Sequence, residues 1–165
     1  MVDLTCGWVL SRFLEKIPDG QYWSSVKRLG ATPVPVALTA SQFVAFLQKW
    51  PAPKYVWGGR RRDGQDCSGL VQDVFLKTTG YWLPRNSRDQ AACGRKITGD
   101  WAAGDLVLMT SRDTGISHIG IVSEPRRQQI FHLSRRNNAP RFEIAADLRK
   151  YYKFLSVSRV IILAS

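Results

Sequence analysis

The stretch YVWGGRRRDGQDCSGLV, residues 55 to 71, sets a cysteine directly behind an aspartate and at the start of an amphipathic run. In SGLVQDVFLKTTG, Leu70, Val71, Val74 and Phe75 share one helical face and Gly80 marks a stop, so Cys67 opens a helix. A helix N-terminus carries roughly half a positive charge, which favours thiolate over thiol and predicts a Cys67 pKa below the free value near ~8.5. The N–H groups of the same first turn lack helical partners and are the kind of donor that holds an oxyanion. Gly58 and Gly59 let the preceding backbone approach a substrate, and Gly69 keeps the helix start uncrowded. Taken alone, the segment also fits a buried, inert cysteine capping a core helix.

A thiol nucleophile needs a base, and usually a third group to orient that base. The chain has 2 histidines. His118 opens the apolar run HIGIVS and His132 lies in QIFHLS, so a hairpin through Glu124 to Gln128 brings them side by side. In that arrangement Cys67 is the nucleophile, His118 the general base and later acid, and His132 the residue that fixes the ring and tautomer of His118. A histidine on a strand, taken singly, also fits a satisfied structural residue. Cys6, Cys67, Cys93 and the histidines contain no close ligand pair such as CxxC or HxxxH, so no metal site and no cofactor are expected.

The elements that must position these groups read as an α+β domain. TASQFVAFLQKW places Phe43, Val44, Phe46, Leu47 and Trp50 on a helical stripe, capped by Thr39 or Ser41 and closed by Pro51 and Pro53. After the Cys67 helix come short β-rich runs at 105 to 109, 118 to 123, 129 to 134 and 156 to 163. A helix packed on an antiparallel sheet follows. Residues 1–38 read differently: Asp19-Gly20 is a turn, and ATPVPVALT cannot be regular helix, which makes it a linker or wrapping arm. The expected organisation is an N-terminal extension over 1–38 and a catalytic domain over 39–165.

Lys+Arg 24 against Asp+Glu 13 gives a net charge of +11, a surface that attracts nucleic acid, anionic lipid or an acidic wall polymer. No apolar run approaches the ~20 residues of a membrane span. MVDLTCGWVLSRF has no basic segment followed by an unbroken apolar one, so no export signal is visible, and Leu4-Thr5-Cys6 lacks the apolar stretch of a lipoprotein leader.

The pieces YVWGG, DCSGLV, LPRNSRDQ, GDLVLM, SHIGIV and IFHLS occur in an order and spacing that resemble the NlpC family of papain-like cell-wall cysteine peptidases, over about residues 50 to 163. The resemblance implies a papain-like fold, with Cys67 starting the first long helix and His118 and His132 on the facing sheet. It implies hydrolysis of amide bonds in peptidoglycan stem peptides, typically between D-glutamate and the following diamino acid, in the cell envelope or outside the cell. Tyr55, Asp66 and Ser68 match positions that line the family's substrate cleft and hold the amine end of a stem peptide. Arg85 and Gln90 match the motif too, with bracing of the loop as an equal reading.

Two features depart from that pattern. Arg60, Arg61 and Arg62 make the loop before Cys67 unusually basic, and Arg135 and Arg136 follow His132; both groups are expected at the ends of the cleft, where they attract stem-peptide carboxylates, with a plain solvated basic surface as an equal reading. CGWVLSRFLEKI resembles the closing strand of a bacterial Src-homology-three-like wall-binding module but is far too short to be one intact. The chain therefore reads as a fragment or as a compact stand-alone enzyme such as an injected antibacterial toxin, which would have a cognate inhibitor; a monomer is the simplest expectation. One competing reading is a related amidase or acyltransferase with the same triad on another amide or ester. The other is a non-enzymatic polyanion-binding module. It leaves Cys67, His118 and His132 unexplained, and no aromatic residues interleave with Lys/Arg as nucleic-acid binding requires.

Overall fold

The computed structural model describes residues 34–61 and 63–164. The sequence features before residue 34, among them Cys6, the Asp19-Gly20 turn and the module-like segment, lie outside the described residues, as do Arg62 and the Arg61 side chain.

The proline-containing arm becomes a strand, β1 (Val34–Thr39). It pairs in parallel with the last strand, β11 (Ile161–Ala164), placing Pro35 opposite Ile162. In a two-stranded sheet each strand is an edge, where a missing proline N–H is tolerated. Helix α1 (Ala40–Gln48) follows at once, because Thr39 and Gln42 form a reciprocal capping box. Its Phe43 and Leu47 are buried in the core.

A small sheet of β2 (Lys54–Tyr55), β4 (Gly64–Gln65) and β3 (Arg60–Arg61) leads into α2 (Cys67–Thr79). Asp66 caps α2 by accepting from the Gly69 N–H at 2.7 Å, and Gly80 ends it in the left-handed region at φ 76°. Leu70, Val71, Val74 and Phe75 are fully buried, as their spacing predicts. Then come α3 (Ser87–Ala92), β5 (Arg95–Ile97), β6 (Leu106–Ser111), β7 (Ser117–Glu124), β8 (Gln129–Leu133), β9 (Pro140–Ile144), α4 (Ala145–Leu148) and β10 (Tyr152–Arg159).

The main sheet has 6 strands in the order β5-β10-β6-β7-β8-β9, every pair antiparallel. Its strands bury both faces. Ile119, Ile121, Phe131 and Leu133 join the α2 side chains in one core, while Val107, Met109, Val122, Ile130 and Tyr152 form a second with Leu148. The alternation along β8, with Ile130 in one core and Phe131 in the other, is the period of 2 that a pleated strand imposes. The run 156 to 163 was expected as one strand and is two: the chain breaks at Val160, and β10 and β11 join different sheets.

Candidate active site

Three glycine positions shape the entry to α2. A side chain on Gly69 would place its first carbon 2.5 Å from the Gly59 carbonyl oxygen, and one on Gly59 would come 2.6 Å from the Gly64 oxygen. The Gly58-Gly59 turn is thus packed onto the helix start. Asp66 holds it there: Oδ2 accepts from the Gly58 N–H at 3.0 Å, and Oδ1 accepts from Gly69 N–H and from the Ser68 hydroxyl at 3.1 Å. Arg85 adds a two-pronged clasp, Nη1 to Oδ1 at 3.0 Å and Nη2 to Oδ2 at 2.6 Å, and donates to Ser68 Oγ at 2.7 Å. Five donors therefore converge on one carboxylate, more than its roughly four lone-pair sites hold separately. Gln90, fully buried, ties the Ser68 carbonyl to the Pro84 carbonyl at 2.9 and 2.8 Å. Arg85 and Gln90 thus brace the loop and the first turn of α2.

Cys67 is buried behind this brace. Burial, together with the neighbouring Asp66 carboxylate, pushes its thiol up to about 11; the Ile119 and Ser68 backbone N–H groups oppose the rise and are outweighed. The lowered value expected from the helix start is not what the fold produces. The helix terminus offers about half a charge, whereas removing a thiolate from water costs more. At neutral pH the group is a thiol.

The two histidines meet as the hairpin reading requires. His118 Nε2 and His132 Nδ1 lie 2.9 Å apart, with the rings nearly perpendicular at 85°. Both rings are buried. Gly120 makes the pairing possible, since a side chain there would place its first carbon 2.5 Å from Ile130 Cγ2 and 3.1 Å from His132 Cβ. The His118 ring also stacks on Tyr152, centroids 4.7 Å apart and planes 13° off parallel. Burial first, and His132 second, hold the His118 imidazole well below its ordinary value, so it is neutral at pH 7. With Nε2 committed to His132, Nδ1 is the nitrogen left to serve the thiol. Cys67 is close at hand: its sulfur faces the backbone N–H of Ile119, the residue after His118, and interacts electrostatically with Tyr152.

Beyond His132 the contacts continue to a residue the sequence reading did not single out. His132 Nε2 lies 2.8 Å from Glu143 Oε2. Glu143 also accepts from Arg136 Nη2 at 2.7 and 2.8 Å and from the Asn137 amide. The hydrogen bond from His132, reinforced by Arg136 and Asn137, holds the Glu143 carboxyl down at about 2. No sequence signal pointed to it, because β9 was not expected and a carboxylate on an unpredicted strand has no register. Arg136, expected at a cleft rim, is instead committed to Glu143 and stacks on Tyr151 with its guanidinium carbon 4.2 Å from the ring centroid.

A cleft of about 480 Å³ opens onto Cys67, lined also by Asp66, Ser68 and Arg85 on one side and by Trp57 and Ser117. Trp57 is 69% exposed at its edge. Tyr55 is electrostatically coupled to Cys67, Asp66 and Arg135, and burial pushes its hydroxyl up to about 12, so it remains a hydrogen-bond donor. Arg60 is half-buried.

A cysteine at the start of the central helix, set against a histidine pair on an antiparallel sheet, defines the papain-like class of thiol hydrolases. Within that class the chain belongs to the NlpC/P60 family, whose model matches residues 52–152. Among curated relatives it is similar to the gamma-DL-glutamyl hydrolase of Bacillus subtilis, 38% identical over 61% of this chain and 25% of that one. It is also similar to the murein DD-endopeptidase MepS/murein LD-carboxypeptidase of Escherichia coli, 38% identical over 44% of this chain and 38% of that one. The chain thus spans well under half the length of these relatives. Among solved structures, the NlpC/p60 domain of the peptidoglycan hydrolase SagA superposes with a TM-score of 0.59 at 24% identity, covering 73% of this chain and 98% of that one. NlpC2 from Trichomonas vaginalis gives a TM-score of 0.60 at 24% identity over 73% of this chain and 46% of that one. At these identities the structures speak for the fold.

Proposed function

We propose that this chain is a cysteine endopeptidase of peptidoglycan stem peptides, cutting the amide between D-glutamate and the following diamino acid. The observation that carries it is Cys67, at the capped start of α2 and opening onto the cleft, with its sulfur at the Ile119 N–H next to the hydrogen-bonded His118–His132 pair. The names of the γ-glutamyl and murein hydrolases it resembles support the substrate class.

Catalysis in this reading starts from a neutral thiol and a neutral imidazole. Cys67 attacks the scissile carbonyl while its proton passes to His118 Nδ1, so sulfur gains its bond to carbon as the S–H bond breaks. Within the first turn, the Gly69 N–H is taken by Asp66 Oδ1 and the Leu70 N–H by the Asp66 carbonyl. The Cys67 N–H is a donor outside that cap, and it meets the oxyanion. His118 then returns its proton to the leaving amine, and water activated by the same ring releases the acyl group.

Tyr55 and Ser68, with Asp66 orienting Ser68 and Arg85, line the subsite for the amine end of the stem peptide. Arg60, Arg61 and Arg62 supply long-range attraction to stem-peptide carboxylates, screened over a Debye length of ~10 Å at 0.1 M salt. The site of action is the cell envelope. Digestion of purified peptidoglycan with mass analysis of the fragments tests the reading. Products ending at D-glutamate are expected from the parent and not from Cys67→Ala; intact wall and intact stem peptides after prolonged digestion would refute it.

A further inference from the structure

We propose that Glu143 is a positioning residue of this site: through His132 it dictates the tautomer of His118. The proposal rests on the function above, since it assigns His118 as the base.

The hydrogen bonds fix the protons of the relay from the outside inward. An ionised carboxylate only accepts. Glu143 Oε2, 2.8 Å from His132 Nε2, therefore requires the proton of a neutral His132 to sit on Nε2. Its Nδ1 is then a bare acceptor, and the 2.9 Å contact can only be a donation from His118 Nε2–H. That leaves His118 Nδ1 without a proton, which is the form a base facing Cys67 must have. Were His132 doubly protonated, its Nδ1–H would donate to His118 Nε2, the His118 proton would move to Nδ1, and the base would be lost.

Arg136 holds Glu143 in place, with Nη2 2.7 and 2.8 Å from the two Glu143 oxygens and the guanidinium lying on Tyr151. Strand register places the carboxylate: His132 lies opposite Arg141, so Glu143, two residues along β9, returns to the same face one pleat further on. The other titratable and charged groups around this relay are Cys67 and Tyr152 beside His118, Arg141 across the strand pair from His132, and Tyr151 under Arg136.

With 2 histidines in the chain, nitrogen-15 NMR of the imidazoles resolves each ring and needs no substrate. In the parent both rings are expected to carry their proton on Nε2. Glu143→Gln keeps the shape but offers a single acceptor oxygen, which Arg136 and Asn137 both demand; the amide NH2 then faces His132, and both rings should switch to Nδ1–H. The rate constant kcat on a stem peptide should fall about a hundredfold or more, as a wrong tautomer does in other triads, with KM within about twofold. Glu143→Ala, which imposes no tautomer, should cost roughly ten- to a hundredfold. In a His132→Gln background, where no imidazole relays Glu143 to His118, Glu143→Ala should cost less than about threefold. Unchanged tautomers in Glu143→Gln, or an equal loss from Glu143→Ala in both backgrounds, would overturn the proposal. If the parent cuts no stem peptide, the NMR spectra still decide the role of Glu143, separating its failure from that of the proposed function.

Discussion

Arg85 clasps both oxygens of Asp66 one residue before Cys67, and the same guanidinium reaches Ser68. Asp66 is nearly buried and raises the Cys67 pKa, so the cation beside it restrains that rise as well as holding the turn. Arg85→Leu should lower stability by about 3 kcal/mol, the cost of stranding a buried carboxylate, and should push the thiol still higher. Chemical denaturation reads the first effect and the pH dependence of alkylation the second; a variant as stable as the parent would show that the clasp contributes only shape.

Burial rather than the helix terminus governs the thiol. Because Cys67 is raised to about 11, its thiolate fraction at pH 7 is small and grows about tenfold per unit as pH rises. Alkylation of Cys67 by iodoacetamide should be slow at neutral pH and climb steadily past pH 10. A rate already maximal at pH 7 would indicate a preformed thiolate, in conflict with the environment seen here.

The histidines should separate kinetically. With His118 as the proposed base, His118→Ala should cost about three orders of magnitude or more in kcat, whereas His132→Gln can still accept from His118 Nε2–H and should retain a larger share of the rate. Measurement on a short soluble stem peptide keeps wall binding out of the comparison. Equal inactivity of the two variants would mean that His132 does more than orient its neighbour.

Acid should destabilise the protein in two windows. His118 is depressed in the folded state, so the stability tied to its neutral form is present above about 6.5 and is lost as pH falls below that value. Glu143 drops from 4.5 to about 2, so its contribution is present above pH 4.5 and drains away as pH falls toward 2, up to about 3 kcal/mol in all. Melting temperatures of the parent and of His118→Gln between pH 3 and 8 test this; the variant should lose the upper window alone.

Gly120→Ala should damage structure and rate together. Its added carbon would stand 2.5 Å from Ile130 Cγ2 and 3.1 Å from His132 Cβ, which forces β7 and β8 apart. A loss of roughly 1–3 kcal/mol is expected from such overpacking, with a fall in kcat as the His118–His132 contact lengthens. Full activity with parental stability would show that the hairpin absorbs the methyl group elsewhere.

What the sequence determined by itself was the set of local instructions. Asp66 and Gly80 bound α2, Thr39 caps α1, the apolar stripes mark the buried faces, and two histidine-bearing runs separated by a short polar turn pair as neighbours. Each of these depends on residues a few positions apart, where propensity and hydrogen-bonding geometry act directly. Tertiary structure decided what distant segments do to one another. It buried Cys67 so deeply that desolvation overrode the helix terminus, and it registered β9 against β8 so that Glu143 met His132. It drew Arg136 away from the cleft to that carboxylate, and it folded a proline-rich arm into an edge strand against β11. Desolvation and strand register are properties of the assembled sheet, because both depend on which chain segments lie alongside, and no local pattern in β9 or around Cys67 carries that information.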